Sequence, residues 1–198
     1  MSKHRAVVAS TTKTVNDLSN VTPTTKGDFI VLTKSDADTL DLLGGYDRLE
    51  MQGAGNTVTL ANVESIKGSS GADLVTLSST IINGSINLAG DDDTLTFDDT
   101  LGGTATVTNI ETINGGDGSE YIIFGGQAYE DVVDLGDGAD KMLLGKFVND
   151  VTVSNVELIT GNLLTDVVTI VGDFTGGRVD LAAGNDQLQL GDTGSTIT

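Results

Sequence analysis

Residues 133–144 read VDLGDGADKMLL, and three other segments repeat the phrase: LDLLGGYDRLEM from Leu40, INLAGDDDTLTF from Ile86 and VDLAAGNDQLQL from Val179. Their starts lie 46, 47 and 46 residues apart. A second phrase keeps the same period, as NVESIKG at 62–68, NIETING at 109–115 and NVELITG at 155–161. Copies held in register over most of a chain mark a repeat architecture, in which one structural unit stacks on the next.

Each long repeat divides further. KGSSGADLVTL, NGGDGSEYIIF and GNLLTDVVTI fall between copies of the first phrase and share its grammar. A turn of small residues leads to an acid, and a pair of apolar residues two apart follows. The acids are Asp47, Asp73, Asp93, Glu120, Asp140, Asp166 and Asp186, at intervals of 26, 20, 27, 20, 26 and 20. Behind them stand Leu49/Met51, Val75/Leu77, Leu95/Phe97, Ile122/Phe124, Met142/Leu144, Val168/Ile170 and Leu188/Leu190. Alternation with a period of two predicts seven strands, each with one buried face.

A turn of about 23 residues is a natural circumference for a parallel solenoid. The fold expected is therefore all-β: a right-handed parallel β-helix of about seven coils, roughly 30–35 Å long at strand spacing. The apolar pairs would form two continuous internal columns. Loops near GAGN, LGGT and KFVND would account for the longer coils, and GDFIVL at 27–32 would cap the first. Asn62, Asn109 and Asn155 suit coil corners, because Asn tolerates left-handed backbone. The neighbouring Glu64, Glu111 and Glu157 are expected to face solvent.

Composition agrees with a strand-rich chain and narrows its partners. The 198 residues include 26 Gly but one Pro, no Cys and no Trp, so Val, Leu and Ile must build the core. A net charge of −19 argues against nucleic acid, whose phosphates require clustered cations. Residues 1–27 carry Lys3, Arg5, Lys13 and Lys26 against Asp17 alone, a charge of +3, leaving −22 for residues 28–198. The chain thus divides into an extended basic N-terminal arm, 1–27, and an acidic solenoid body, 28–198. Such an arm could cross to the acidic body of another copy.

The turns resemble the calcium-binding nonapeptide of repeats-in-toxin (RTX) proteins, G-G-x-G-x-D-x-U-x with U apolar. GGDGSEYII matches at every defined position except that Glu120 replaces Asp, and LGDGADKML lacks only the first Gly. GSSGADLVT lacks the second Gly, AGDDDTL and AAGNDQL are looser, and GNLLTDVVT is weakest. The resemblance implies Ca²⁺ between stacked turns, with Asp47, Asp73, Asp93, Glu120, Asp140, Asp166 and Asp186 as ligands. Asp91, Asp92 and Asp137 would assist. Calcium suits such a turn, since it takes six to eight hard oxygen ligands. Tandem nonapeptides recur every nine residues and place sites on both edges of a flattened roll. Here the wider spacing predicts sites along one edge only.

Enzymatic β-helices that act on polysaccharides need a carboxylate pair with a base in one groove. The only His is His4, in the arm, and the acids recur at matching turns rather than in one place. The reading is a non-enzymatic structural subunit of a repetitive assembly, of decoration, fibre or surface-layer type, on a virion or a bacterial exterior. Its partners would be other protein subunits reached through the arm, with no nucleic acid and no membrane insertion. The alternatives are a fragment of a type I-secreted, calcium-dependent adhesin or surface-layer protein, or a polysaccharide-acting β-helix enzyme.

Overall fold

In the computed structural model, residues 12–98 and 100–191 are described. Strands begin with β1 (Thr12–Val15), followed by a 3-10 turn, Leu18–Asn20, then β2 (Phe29–Leu32), β3 (Thr39–Asp41) and β4 (Arg48–Met51). Next come β5 (Thr57–Ala61), β6 (Ser65–Lys67), β7 (Leu74–Leu77), β8 (Gly84–Asn87), β9 (Thr94–Thr96) and β10 (Gly103–Thr108). The series continues with β11 (Thr112–Gly116), β12 (Glu120–Phe124), β13 (Tyr129–Gly136), β14 (Lys141–Leu143) and β15 (Asn149–Ser154). It closes with β16 (Leu158–Thr160), β17 (Asp166–Ile170), β18 (Arg178–Asp180) and β19 (Gln187–Leu190).

Every pairing is parallel, and from β2 onward the chain alternates between two sheets. One sheet holds ten strands in the order β1-β2-β4-β6-β8-β10-β12-β14-β16-β18, and the other holds nine, from β3 to β19 through the odd numbers. The molecule is a parallel β-solenoid with two strands per coil and about nine coils. Ten strands at about 4.8 Å span about 43 Å, longer than seven coils would. All seven segments expected to be extended lie on strands, but they are fewer than half of the strands present.

The count differs because the coil is shorter than expected. Paired positions are 17 to 21 residues apart, as for Leu49 with Ile66 and Ile86 with Val107. A repeat of 46 or 47 residues therefore spans five strands, or two and a half coils. Each repeat begins on the sheet opposite to its predecessor. Leu40 lies on β3, Ile86 on β8, Val133 on β13 and Val179 on β18, which alternate between the nine- and ten-stranded sheets. GAGN, LGGT and KFVND are thus corners of the extra half-coil rather than loops inserted into a coil.

Inward positions stack in register across the whole rod. In the larger sheet Ile30, Leu49, Ile66 and Ile86 align, all at most 1% exposed. In the smaller sheet Val75, Leu95, Ile113 and Val133 do the same, each fully buried. The apolar pairs of the seven expected strands are consequently divided between two opposing faces. Burial of these columns, at about 25 cal/mol per Å², is the main stabilising term.

Residues 12–27 belong to the first turn of the solenoid instead of forming part of an extended arm. β1 pairs with β2 from Thr12↔Phe29 to Val15↔Leu32, and Leu18 is 1% exposed beneath the 3-10 turn. Lys13 Nζ lies 3.3 Å from Asp28 Oδ1, so one basic residue of this segment is paired within its own chain. Phe29–Leu32 is accordingly an inner strand, and the cap is β1 with the 3-10 turn. Residues 1–11 of the expected arm lie outside the described residues.

Since corresponding positions of a repeat serve both sheets, removing one repeat should leave the register intact. Excision of residues 86–132 joins Ser85 to Val133 and moves every later strand to the opposite sheet. We expect a shorter solenoid that keeps its β circular dichroism and melts cooperatively. Loss of strand signal would show that the two faces are not interchangeable.

Candidate functional site: two columns of buried carboxylates

Each coil turns at two edges, one leading into the ten-stranded sheet and one into the nine-stranded sheet. The seven acids occupy both edges. Asp47, Glu120 and Asp140 precede or open strands of the larger sheet, whereas Asp73, Asp93, Asp166 and Asp186 precede or open strands of the smaller. The expectation of a single edge fails for the same reason as the coil count. An interval of 20 keeps the edge, whereas 26 or 27 advances one and a half coils and changes it.

The columns contain more members than the seven. Asp28 and Glu64 flank Asp47, and Glu157 follows Asp140, on the first edge. On the second, Asn56, Asp73, Asp93, Glu111 and Asp131 stand in consecutive coils, and Asn149, Asp166 and Asp186 continue above. The Asn members carried no charge to betray them. Glu64, Glu111 and Glu157 looked like ordinary surface acids.

A hydrogen bond between coils explains why an acid is needed at the corner. The backbone N–H of one corner residue donates to the carboxylate of the corner directly above. Asp47 N donates to Glu64 Oε2 at 2.7 Å, Asp73 N to Asp93 Oδ1 at 2.7 Å and Asp93 N to Glu111 Oε2 at 2.8 Å. Glu120 N donates to Asp140 Oδ1 at 2.7 Å, Asp140 N to Glu157 Oε2 at 2.6 Å and Asp166 N to Asp186 Oδ1 at 3.0 Å. The Glu residues expected only to face solvent are therefore ladder members, although Glu157 remains exposed. Asn62, Asn109 and Asn155 do hold left-handed corners, with φ of 54°, 52° and 53°.

Where the corner residue is Asn, its amide donates onward. Asn56 Nδ2 reaches Asp73 Oδ1 at 2.7 Å, and Asn149 Nδ2 reaches Asp166 Oδ1 at 2.7 Å. Both of those acids are saturated by further bonds, from Ser69 and Asn162 respectively. The middle repeat places Gly103 where the others have Asn, opposite Glu120 where the others have Asp. Gly103 offers Glu120 no side-chain donor, and the space beside it is taken by Ile81 and Phe97. Both Glu120 carboxylate oxygens are buried and lack a hydrogen bond of good geometry, although the Gly116 backbone N–H still favours the charged form; Asp47 Oδ2, Asp93 Oδ2 and Asp140 Oδ2 are buried without a partner.

Buried carboxylates short of donors resist ionisation. Burial pushes the Asp93 carboxyl up to about 7, reinforced by Asp73, Glu111 and Asp91 and opposed by the Asp73 N–H. Burial likewise raises Asp140 to about 7, with Glu120 and Glu157 adding to it against the Glu120 N–H. Glu120 and Asp47 are raised by the same cause. Such columns call for a counter-charge, either protons or a hard cation.

The seven acids do not converge as a carboxylate cage. Among the described residues, three acids offer oxygens within 4.8 Å of one another only at Asp17, Asp36 and Asp38, beside the N-terminal turn. None of these is among the seven. A cation in the columns would take one or two carboxylates and complete its shell with other oxygens. Glu120 and Asp140, one coil apart, supply three of the five unpartnered oxygens and fit that need best. Asp73 and Asp166 already have their donors.

No family model matches the chain, and neither a curated protein nor a solved structure matches it.

The raised carboxyls set a pH dependence. Between an unfolded value near 4 and the folded values of about 7, the native state of Asp93 and Asp140 holds protons that the unfolded chain has lost. Stability without cations must then fall as pH rises through that window. The melting temperature in chelator should be higher at pH 5 than at pH 8, and Asp140→Asn should flatten the difference. A melting temperature that climbs over the same range would refute the protonated columns.

Proposed function

We propose that this chain is a non-enzymatic structural subunit of a virion or bacterial surface assembly, a rod stiffened by its corner ladders and by calcium at Glu120 and Asp140. The observation that carries this reading is the distribution of the acids. They recur corner by corner along both edges, where each ties one coil to the next, and so serve the rod as a whole. The RTX-like grammar of the turns supports calcium, as do the unpartnered oxygens at the two corners that match the nonapeptide most closely.

Association is supported by apolar surface on the side of the rod. Phe147, Val148, Leu163 and Leu164 are 44%, 51%, 77% and 47% exposed, on the corners before β15 and β17. Contiguous apolar surface of this kind marks contact with another protein. Among the described residues the sheets end at β18 and β19, where the inward Leu188 and Leu190 are 38% and 37% exposed. The basic segment 1–11 provides a coupling element of opposite charge to the body.

Three measurements test the reading. Calcium should raise the melting temperature at pH 7.5 and chelator reverse it, with Glu120→Gln combined with Asp140→Asn abolishing the response. If that variant is simply more stable at pH 7.5 and calcium never acts, protons alone occupy the columns. Deleting residues 2–11 should lower the assembly mass in analytical ultracentrifugation; an unchanged mass would remove the arm from the reading. Cleavage of polysaccharide chains by the purified protein would replace the structural reading with an enzymatic one.

A further inference from the structure

The fifth corner of each repeat is built three times, and the middle copy departs from the other two. The segments are IING at 81–84, AYED at 128–131 and FTGG at 174–177. In all three the third residue is left-handed: Asn83 at φ 54°, Glu130 at 59° and Gly176 at 75°. In the outer copies a large apolar residue plugs the corner over a glycine. Ile81 and Phe174 are each 5% exposed, and a Cβ on Gly84 or Gly177 would lie 2.2 or 2.3 Å from their side-chain atoms. The middle copy replaces the plug with Ala128 and the glycine with Asp131.

Exchange of plug and glycine for alanine and aspartate leaves a groove of about 570 Å³, against about 150 Å³ at the third copy. Its wall carries Asp92, Glu111, Glu130 and Asp131 around the exposed Tyr129. Asp131 is 5% exposed; its Oδ1 accepts the Tyr129 N–H at 3.2 Å, and Oδ2 has no such donor among the described residues. Each amide at the rim has one donor already engaged within the chain. Asn109 Nδ2 binds Asn87 Oδ1 at 3.0 Å, and Gln127 Nε2 binds the Val148 carbonyl at 2.8 Å. The Tyr129 hydroxyl is engaged by Glu130.

The groove therefore presents acceptors and negative charge, and its complement is a cation rich in N–H donors. A bare metal ion fits less well, since no three of these acids bring oxygens within 4.8 Å of one another. A guanidinium suits both the spread acceptors and the ring of Tyr129. The chain itself carries a matching segment, SKHR at 2–5, ahead of its first acid, Asp17.

That segment would have to be stretched to nearly its full length to reach its own groove, which favours a second copy as the donor. The strands leading into the two corners of the groove are β10 and β12, five and six steps from β1 in the larger sheet. Those steps amount to about 24–29 Å along the rod at ~4.8 Å each, and the corners lie on the edge opposite to Thr12. Seven residues from Thr12 back to Arg5 reach at most about 25 Å fully extended. We infer that the groove at Glu111, Glu130 and Asp131 receives the basic N-terminal segment of a second copy, with Arg5 as the residue it holds. This rests on the proposal that the arm couples subunits, and identifies where it docks.

Charge exchange in the full chain tests the inference. Arg5→Glu and Glu130→Lys should each weaken self-association at least about tenfold in low salt, with unchanged melting temperature. The double variant, and an equimolar mixture of the two single variants, should recover association. If deleting residues 2–11 disperses the assembly but Glu130→Lys does not, the arm couples subunits at another place and the groove assignment is overturned. If Glu130→Lys disperses it while Arg5→Glu does not, the occupant is something else and the inference also fails. Dispersal by chelator alone, with Arg5→Glu silent, would make the groove a metal site and overturn it as well.

Discussion

A single interaction recurs along both edges of this molecule: a backbone N–H donates to the carboxylate, or the amide oxygen, of the residue one coil above. A solenoid coil must bend twice, and at each bend the backbone leaves the sheet ladder that would satisfy it. An unpaired N–H buried at that point costs free energy comparable to a lost hydrogen bond. Asp and Glu answer it with an acceptor oxygen carried on a short side chain. The ladder thereby extends the hydrogen bonding of the two sheets around both edges. Because it runs from coil to coil, it also ties down the register on which the apolar columns depend.

Ladders of this kind carry a cost that shapes the rest of the chemistry. A carboxylate has two oxygens, and one backbone donor satisfies only part of their capacity. Asp73 and Asp166 receive extra donors from Asn, Ser and turn amides, whereas Asp47, Asp93, Glu120 and Asp140 do not. Two classes of corner follow from one sequence grammar: saturated corners that are complete as built, and unsaturated corners whose remaining oxygens lack a donor. Glu120 belongs to the second class because Gly103 opposite it supplies no amide.

The half-integral repeat is the second organising constraint. With two and a half coils per repeat, each position in the repeat is used on both sheets, so neither face can specialise without breaking the pattern. The consistent departure is the middle repeat, with Gly103, Glu120, Ala128, Glu130 and Asp131 at positions that the flanking repeats fill with Asn, Asp, a large apolar residue, a left-handed Asn or Gly, and Gly. Departures gathered in one repeat, and opening one groove, are where a regular rod becomes locally distinct.

The sequence by itself determined that the chain is all-β, that it repeats every 46 or 47 residues, and that acids mark corners. Period-2 alternation around Leu95/Phe97 or Met142/Leu144 is a local property, and it survives whatever the strand packs against. Coil number and edge assignment were not local. Strands such as β6, β11 and β16 carry one inward residue each, Ile66, Ile113 and Ile159, too few to show an alternation. Corners at Asn56, Gly103 and Asn149 have no acid to announce them. A spacing of 26 residues reads the same whether it means one long coil or one and a half short ones. Only the stacking of the two sheets decided between them, because which edge a corner occupies depends on how many strands precede it. The pairing of Glu120 with Gly103, and the groove at Asp131, exist solely between coils.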